Sequence, residues 1–137
     1  MPLVICFPTL QHMLFNQVQP NGATYPEKIG LYTNPVGITP NSVFADLTEL
    51  VAGWYTRITL TGWTALSALD PYRRVEAAPV TWLNNAGAGG NVVVYGYFVL
   101  NLDGTLAWAE NFSSGPVTVQ GAGETLSLTP YLELLNE

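Results

Sequence analysis

The chain has 137 residues, of which 10% are charged and 48% apolar, with a formal net charge of −6. A globular domain typically carries about 25% charged residues, so this exterior must be largely neutral polar and aromatic, a surface suited to being covered by copies of itself or by another protein. Four cations, Lys28, Arg57, Arg73 and Arg74, build no patch for nucleic-acid phosphates or an anionic membrane, and no apolar run reaches the roughly 18 residues of a spanning helix.

The length fits one domain over 1–137, read as an arm over 1–27 and a β region over 28–137. The first apolar run, Leu3-Val4-Ile5-Cys6-Phe7, has no preceding positive charge and stops at Pro8, so no secretion signal is expected. Cys6 is the single cysteine and forms no internal bridge; a buried, inert thiol is expected. Residues 9–18 are predicted to form one short N-terminal helix, with Thr9 as cap and Leu10, Met13 and Leu14 on one face. Pro20-Asn21-Gly22 and Pro26 end it.

Beyond Glu27 the apolar period changes from helical to two. Ile29 and Leu31 alternate with Gly30 and Tyr32; Trp54, Ile58 and Leu60 with Tyr55, Arg57 and Thr59; Val80 and Trp82 flank Thr81; Val117 and Val119 flank Thr118. Leu126, Leu128, Leu132 and Leu134 continue the pattern, with Pro130 read as an edge position or bulge within the last strand. Each run is expected to turn one side to a core and the other to solvent or a partner. Asp46-Leu47-Thr48-Glu49 has the form of a capping box, which predicts a helical turn through Leu50 and Val51 up to Gly53. About seven or eight short strands separated by Gly and Pro describe an all-β fold, an antiparallel β-sandwich or jelly roll with one short N-terminal helix.

The strongest local signal is a hairpin over 92–112, turning at Asp103-Gly104. A two-residue turn there sets Val99 opposite Trp108, Tyr97 opposite Glu110 and Tyr95 opposite Phe112 on one face. Phe98 then meets Ala109, and Leu100 meets Ala107, on the other.

No arrangement of residues points to catalysis, a cofactor or a metal. His12 is the single histidine, and the acids are scattered, with no D-x-D loop. The stretch Asn84-Asn85-Ala86-Gly87-Ala88-Gly89-Gly90-Asn91 lacks the Lys-Ser/Thr ending of a phosphate loop and reads as a connection between strands. Trp54, Trp63, Trp82 and Trp108, with seven tyrosines, suit a core or interface and also a sugar-stacking platform.

Several segments in order resemble small virion structural proteins of tailed bacteriophages. They are Ile29-Gly30-Leu31-Tyr32-Thr33-Asn34, Ala45-Asp46-Leu47-Thr48-Glu49, Gly53-Trp54-Tyr55 with Thr61-Gly62-Trp63-Thr64, Val94-Tyr95-Gly96-Tyr97-Phe98-Val99, Leu106-Ala107-Trp108-Ala109-Glu110, Gly115-Pro116-Val117 and Gly123-Glu124-Thr125-Leu126. The resemblance spans residues 29–134 and departs over 66–78, where Pro71-Tyr72-Arg73-Arg74 reads as a loop that is either a specific contact or a solvated turn. It implies a non-enzymatic capsid decoration or cement protein, made in the host cytoplasm and carried on the virion. The implied partners are the major capsid protein or another virion protein and further copies of the chain. Tyr72, Arg73, Arg74, Tyr95, Tyr97 and Trp108 are the expected interface residues. The rival expectation is a carbohydrate-binding β module of a tail or adhesin.

Overall fold

The computed structural model describes residues 26–65, 72–85 and 92–135; the expected helix over 9–18, Cys6, His12 and residues 86–91 of the glycine-rich connection lie outside them. The described chain is mostly β, and every strand pairing is antiparallel. Its centre is a four-stranded sheet in the order β2 (Ile58–Thr59), β1 (Pro26–Tyr32), β7 (Gly96–Asn101), β8 (Leu106–Asn111). A three-stranded sheet runs β11 (Tyr131–Leu135), β4 (Tyr72–Glu76), β3 (Thr64–Ala65). Two strand pairs complete the set: β10 (Thr125–Leu128) with β5 (Val80–Leu83), and β6 (Val92–Val94) with β9 (Val117–Val119).

The central sheet is buried on both faces, which the alternation in β1 did not predict. On one face Ile29, Leu31, Tyr97 and Val99 pack with Leu50, Leu60, Val80, Trp82 and Val94. On the other, Tyr32, Phe98 and Leu100 pack with Leu47, covered by Val36, Ile38 and Phe44 of the segment that follows β1. Tyr32, expected on an outward face, is therefore fully buried. The 33–48 segment acts as a lid over what would otherwise be a solvent face.

Two expected single strands divide. The 92–101 run breaks at Tyr95, so β6 joins β9 while β7 enters the central sheet. Tyr95 N–H donates to Tyr32 O, although Gly96 is the residue paired with Tyr32, and this extra residue is where the strand turns. The 125–135 run breaks at Pro130: β10 pairs with β5, and β11 with β4. Pro130 is buried between the two strands rather than inside one, and its carbonyl accepts from Ala77 N–H at 2.9 Å. A residue with no N–H to offer a ladder suits that junction.

The helical turn falls one step earlier than the capping-box reading placed it. A 3₁₀ turn spans Phe44–Asp46, and Asp46 Oδ2 accepts from Val43 N–H at 2.9 Å. Asp46 thus closes the turn behind it instead of opening one ahead. Glu49 is extended, bridged to Tyr32 across the end of β1.

In the β7–β8 hairpin Tyr97 faces Glu110, Phe98 faces Ala109 and Val99 faces Trp108, as expected. The turn differs. Gly104 N–H donates to Asn101 O and Asn101 N–H to Thr105 O, both at 2.9 Å, making a three-residue loop with Gly104 at φ 85°. Leu100 consequently pairs with Leu106 rather than Ala107, and a bulge then restores the register at Val99. Asp103 Oδ1 holds the loop by accepting from Thr105 N–H and Oγ1–H at 3.0 and 2.6 Å.

Candidate binding surface

Tyr97 and Trp108 share a face of the hairpin, as expected. Trp108 Nε1–H donates to Tyr97 Oη at 3.4 Å, and Tyr97 Oη–H donates to Glu110 Oε2 at 2.9 Å. Burial, reinforced by the charge of Glu110, pushes the Tyr97 hydroxyl well above the ordinary phenol range, so it stays a donor at neutral pH. Trp63 meets Trp108 edge-on, 6.5 Å between ring centroids. Tyr97 itself is buried; the half-buried Trp63 and Trp108 and the exposed Glu110 carry this face toward the exterior.

Tyr95 is not on that face, a correction to the expected site. The break at Tyr95 turns its side chain to the second core cluster, that of Tyr32, Phe98 and Leu100. There it lines a recess of about 430 Å³ with Pro35, Val36, Phe112 and Pro116. Asn111 closes one wall: its Oδ1 accepts from Tyr32 Oη–H at 2.5 Å and its Nδ2–H donates to Val36 O at 2.9 Å. Burial pushes the Tyr32 hydroxyl up to about 12, with the charge of Glu110 adding to the shift.

Tyr72, Arg73 and Arg74 are likewise displaced from expectation. They belong to β4, the middle strand of its sheet, not to a loop. Tyr72 stands opposite Leu135, Arg73 opposite Leu134 and Arg74 opposite Glu133. Of the six expected interface residues, Tyr97 and Trp108 are joined by a hydrogen bond.

Two features escaped the sequence reading. The first is an ionic knot at the open side of β1. Arg57 Nε–H and Nη2–H donate to Glu49 Oε1 and Oε2 at 2.8 and 2.7 Å, Tyr55 Oη–H donates to Glu49 Oε1 at 2.8 Å, and Leu31 N–H donates to Tyr55 Oη at 3.0 Å. The Arg57 guanidinium also lies 5.2 Å from the Phe44 ring centroid and 5.8 Å from that of Phe98. Arg57 holds the Glu49 carboxyl below its usual range, while burial drives the Tyr55 hydroxyl far up. β2 is only two residues long, so Leu31 N–H has lost its ladder partner and a tyrosine supplies the acceptor. The signal was the spacing of Glu49, Tyr55 and Arg57, which no local motif connects.

The second is an exposed valine at a shallow recess. Val51 is 94% exposed and lines a shallow recess of about 390 Å³ with Val92, Val93, Leu50, Thr33, Thr48 and Glu49. Val93 is itself 38% exposed. Val51 follows buried Leu50, whose N–H is committed to Leu31 O, and the extended chain there turns the next side chain outward.

Comparison with protein-family models, curated proteins and solved structures finds no match.

Proposed function

We propose that this chain is a non-enzymatic structural protein of a tailed-bacteriophage virion, a β-sandwich that decorates the capsid lattice and assembles with further copies. The observation that carries the reading is Val51, a β-branched apolar side chain left 94% exposed at the rim of a recess floored by Leu50 and flanked by Val92 and Val93. Isolated exposed valines are ordinary, but this one stands near the exposed Val93 on a chain with 14 charged residues, where typical composition would give about 34. Burying it against a capsid protein removes apolar area from water at about 25 cal/mol per Å². Repetition over a lattice multiplies modest contacts if neighbouring copies also touch. The segments that resemble phage virion proteins include Glu49, beside Leu50, and Gly96–Val99 of β7.

A carbohydrate-gripping module of a tail or adhesin is the rival. It draws on Trp63, Trp108 and Glu110 sharing a face. Against it, Tyr97 and Trp82 are buried in the core.

The deciding experiment mixes purified protein with capsids stripped of it, at low and high ionic strength. Saturable rebinding with weak salt dependence is expected, because the net charge is −6 and the contact surface apolar. Absence of rebinding, with a strictly monomeric mass at high concentration, would transfer the weight to glycan binding.

A further inference from the structure

β8 ends the central sheet, and among the described residues nothing pairs with its outer side. Six residues long, it exceeds every other edge strand of the described sheets. The direction of its main-chain groups follows from its neighbours. Phe112 N–H donates to Tyr95 O and Asn101 N–H to Thr105 O, so the odd-numbered residues of β7 address β8. Tyr97 stands opposite Glu110 and Val99 opposite Trp108. The main chains of Trp108 and Glu110 therefore point inward, and those of Ala109 and Asn111 point out, offering N–H and C=O groups to whatever lies beyond.

A recess of about 360 Å³ beside β8 is lined by Ile38, Thr39, Pro40 and Ser42 together with residues 106–109. It leaves room for the side chains of an added strand. We infer that the occupant is β8 of a second copy, paired antiparallel about a two-fold axis at Ala109 to make one continuous sheet through two molecules.

The self-pairing follows from the residues. An isologous antiparallel contact matches outward residues with outward residues. With the axis at Ala109, the two Ala109 residues exchange both main-chain hydrogen bonds, and a methyl is the only side chain at the dyad. Ala107 then meets Asn111 of the second copy, and Trp108 meets its Glu110. Moving the axis one residue to Glu110 would set two carboxylates face to face, which is destabilising. Glu110 is the only charge on β8, so the axis at Ala109 sets it opposite Trp108 and avoids the like-charge pair. This contact specifies the copy-to-copy association in the function proposed above and rests on that reading.

The test uses Ala109→Pro in the full chain. Ala109 N–H takes no part in the β7 ladder, and proline is tolerated on an edge strand, so the monomer should keep its fold. Sedimentation equilibrium of the wild type should give a concentration-dependent dimer. A109P should raise its dissociation constant roughly 100-fold through the two lost hydrogen bonds. Amide exchange on the wild type checks the contact without any substitution: protection at Ala109 and Asn111 should rise with concentration, while that at Trp108 and Glu110 holds. A wild type that stays monomeric, a dimer unaffected by A109P, or exchange at Ala109 independent of concentration would each overturn the pairing. Capsid rebinding is read separately: a dimer that coats no capsid would sink the virion reading and leave the edge contact standing.

Discussion

Gly30 lies directly across the central sheet from Phe98, and the Phe98 ring occupies the space where a side chain at position 30 would begin. Two residues along, the relation is reversed, with the Tyr32 ring over Gly96. Each aromatic fills the gap its partner glycine leaves, so the face under the 33–48 segment is packed by two rings laid over two glycines. A Cβ on Gly30 would overlap Phe98 and the Tyr55 hydroxyl; one on Gly96 would overlap Tyr32 and the main-chain oxygen of Glu110.

Gly30→Ala and Gly96→Ala should therefore each destabilise by about 1–3 kcal/mol, as overpacking of a filled core does. Gly96→Ala should be the worse, since main chain cannot swing away as a ring can. Gly37 has nothing within 4 Å of an added Cβ, and Gly37→Ala should be neutral or slightly stabilising. Urea unfolding of the three variants checks the order; equal midpoints would refute the ring-over-glycine packing.

Phe98→Ala removes a fully buried ring and should cost about 3–5 kcal/mol. Val43→Ala, at a side chain 54% exposed, should stay within about 0.5 kcal/mol. Thermal denaturation compares them, and a mild Phe98 variant would mean that the second cluster contributes little.

The Glu49 knot sets an acid limit. Its carboxyl is held below the ordinary value of 4.5, first by the Arg57 hydrogen bonds and also by Tyr55, with burial opposing. A depressed folded-state value gives stability that is complete above pH 4.5 and is lost as pH falls through the folded value. Glu49→Gln should flatten that part of the acid limb in a plot of stability against pH. Tyr55→Phe leaves Leu31 N–H without its acceptor and should cost about 1–3 kcal/mol at neutral pH. An unchanged acid limb in the Gln variant would show that the pair is silent.

Gly104 holds φ 85° at the hairpin loop. Gly104→Ala should cost about 1–2 kcal/mol, and Gly104→Asn less, because asparagine tolerates the left-handed region better. Chemical denaturation measures both, and the ranking is the point: alanine as mild as asparagine would contradict the loop geometry.

Val51→Glu tests the surface. With the side chain 94% exposed, the thermal midpoint should not move. Binding to stripped capsids should fall at least about 10-fold, since a carboxylate would be desolvated in an apolar contact. Full binding by this variant would remove Val51 from the interface.

The sequence by itself determined what depends on neighbours along the chain. The Asp103-Gly104 turn between the apolar run 92–102 and the returning 105–112 was enough to oppose Tyr97 with Glu110 and Val99 with Trp108, because in a hairpin the turn fixes which residues face each other. That register survived a wrong turn length because the bulge beside Ala107 absorbed the difference. Turn residues between short apolar runs were likewise enough for the β class. Tertiary structure decided where continuous runs change sheets, at Tyr95 and Pro130, since a strand's partner lies far along the chain and leaves no local mark. It also decided that Tyr32 is core: burial of the second face depends on the 33–48 segment folding back, a choice made by packing rather than by β1. The union of Glu49, Tyr55 and Arg57 was equally invisible, because it answers one orphaned N–H that exists only once β2 has stopped short.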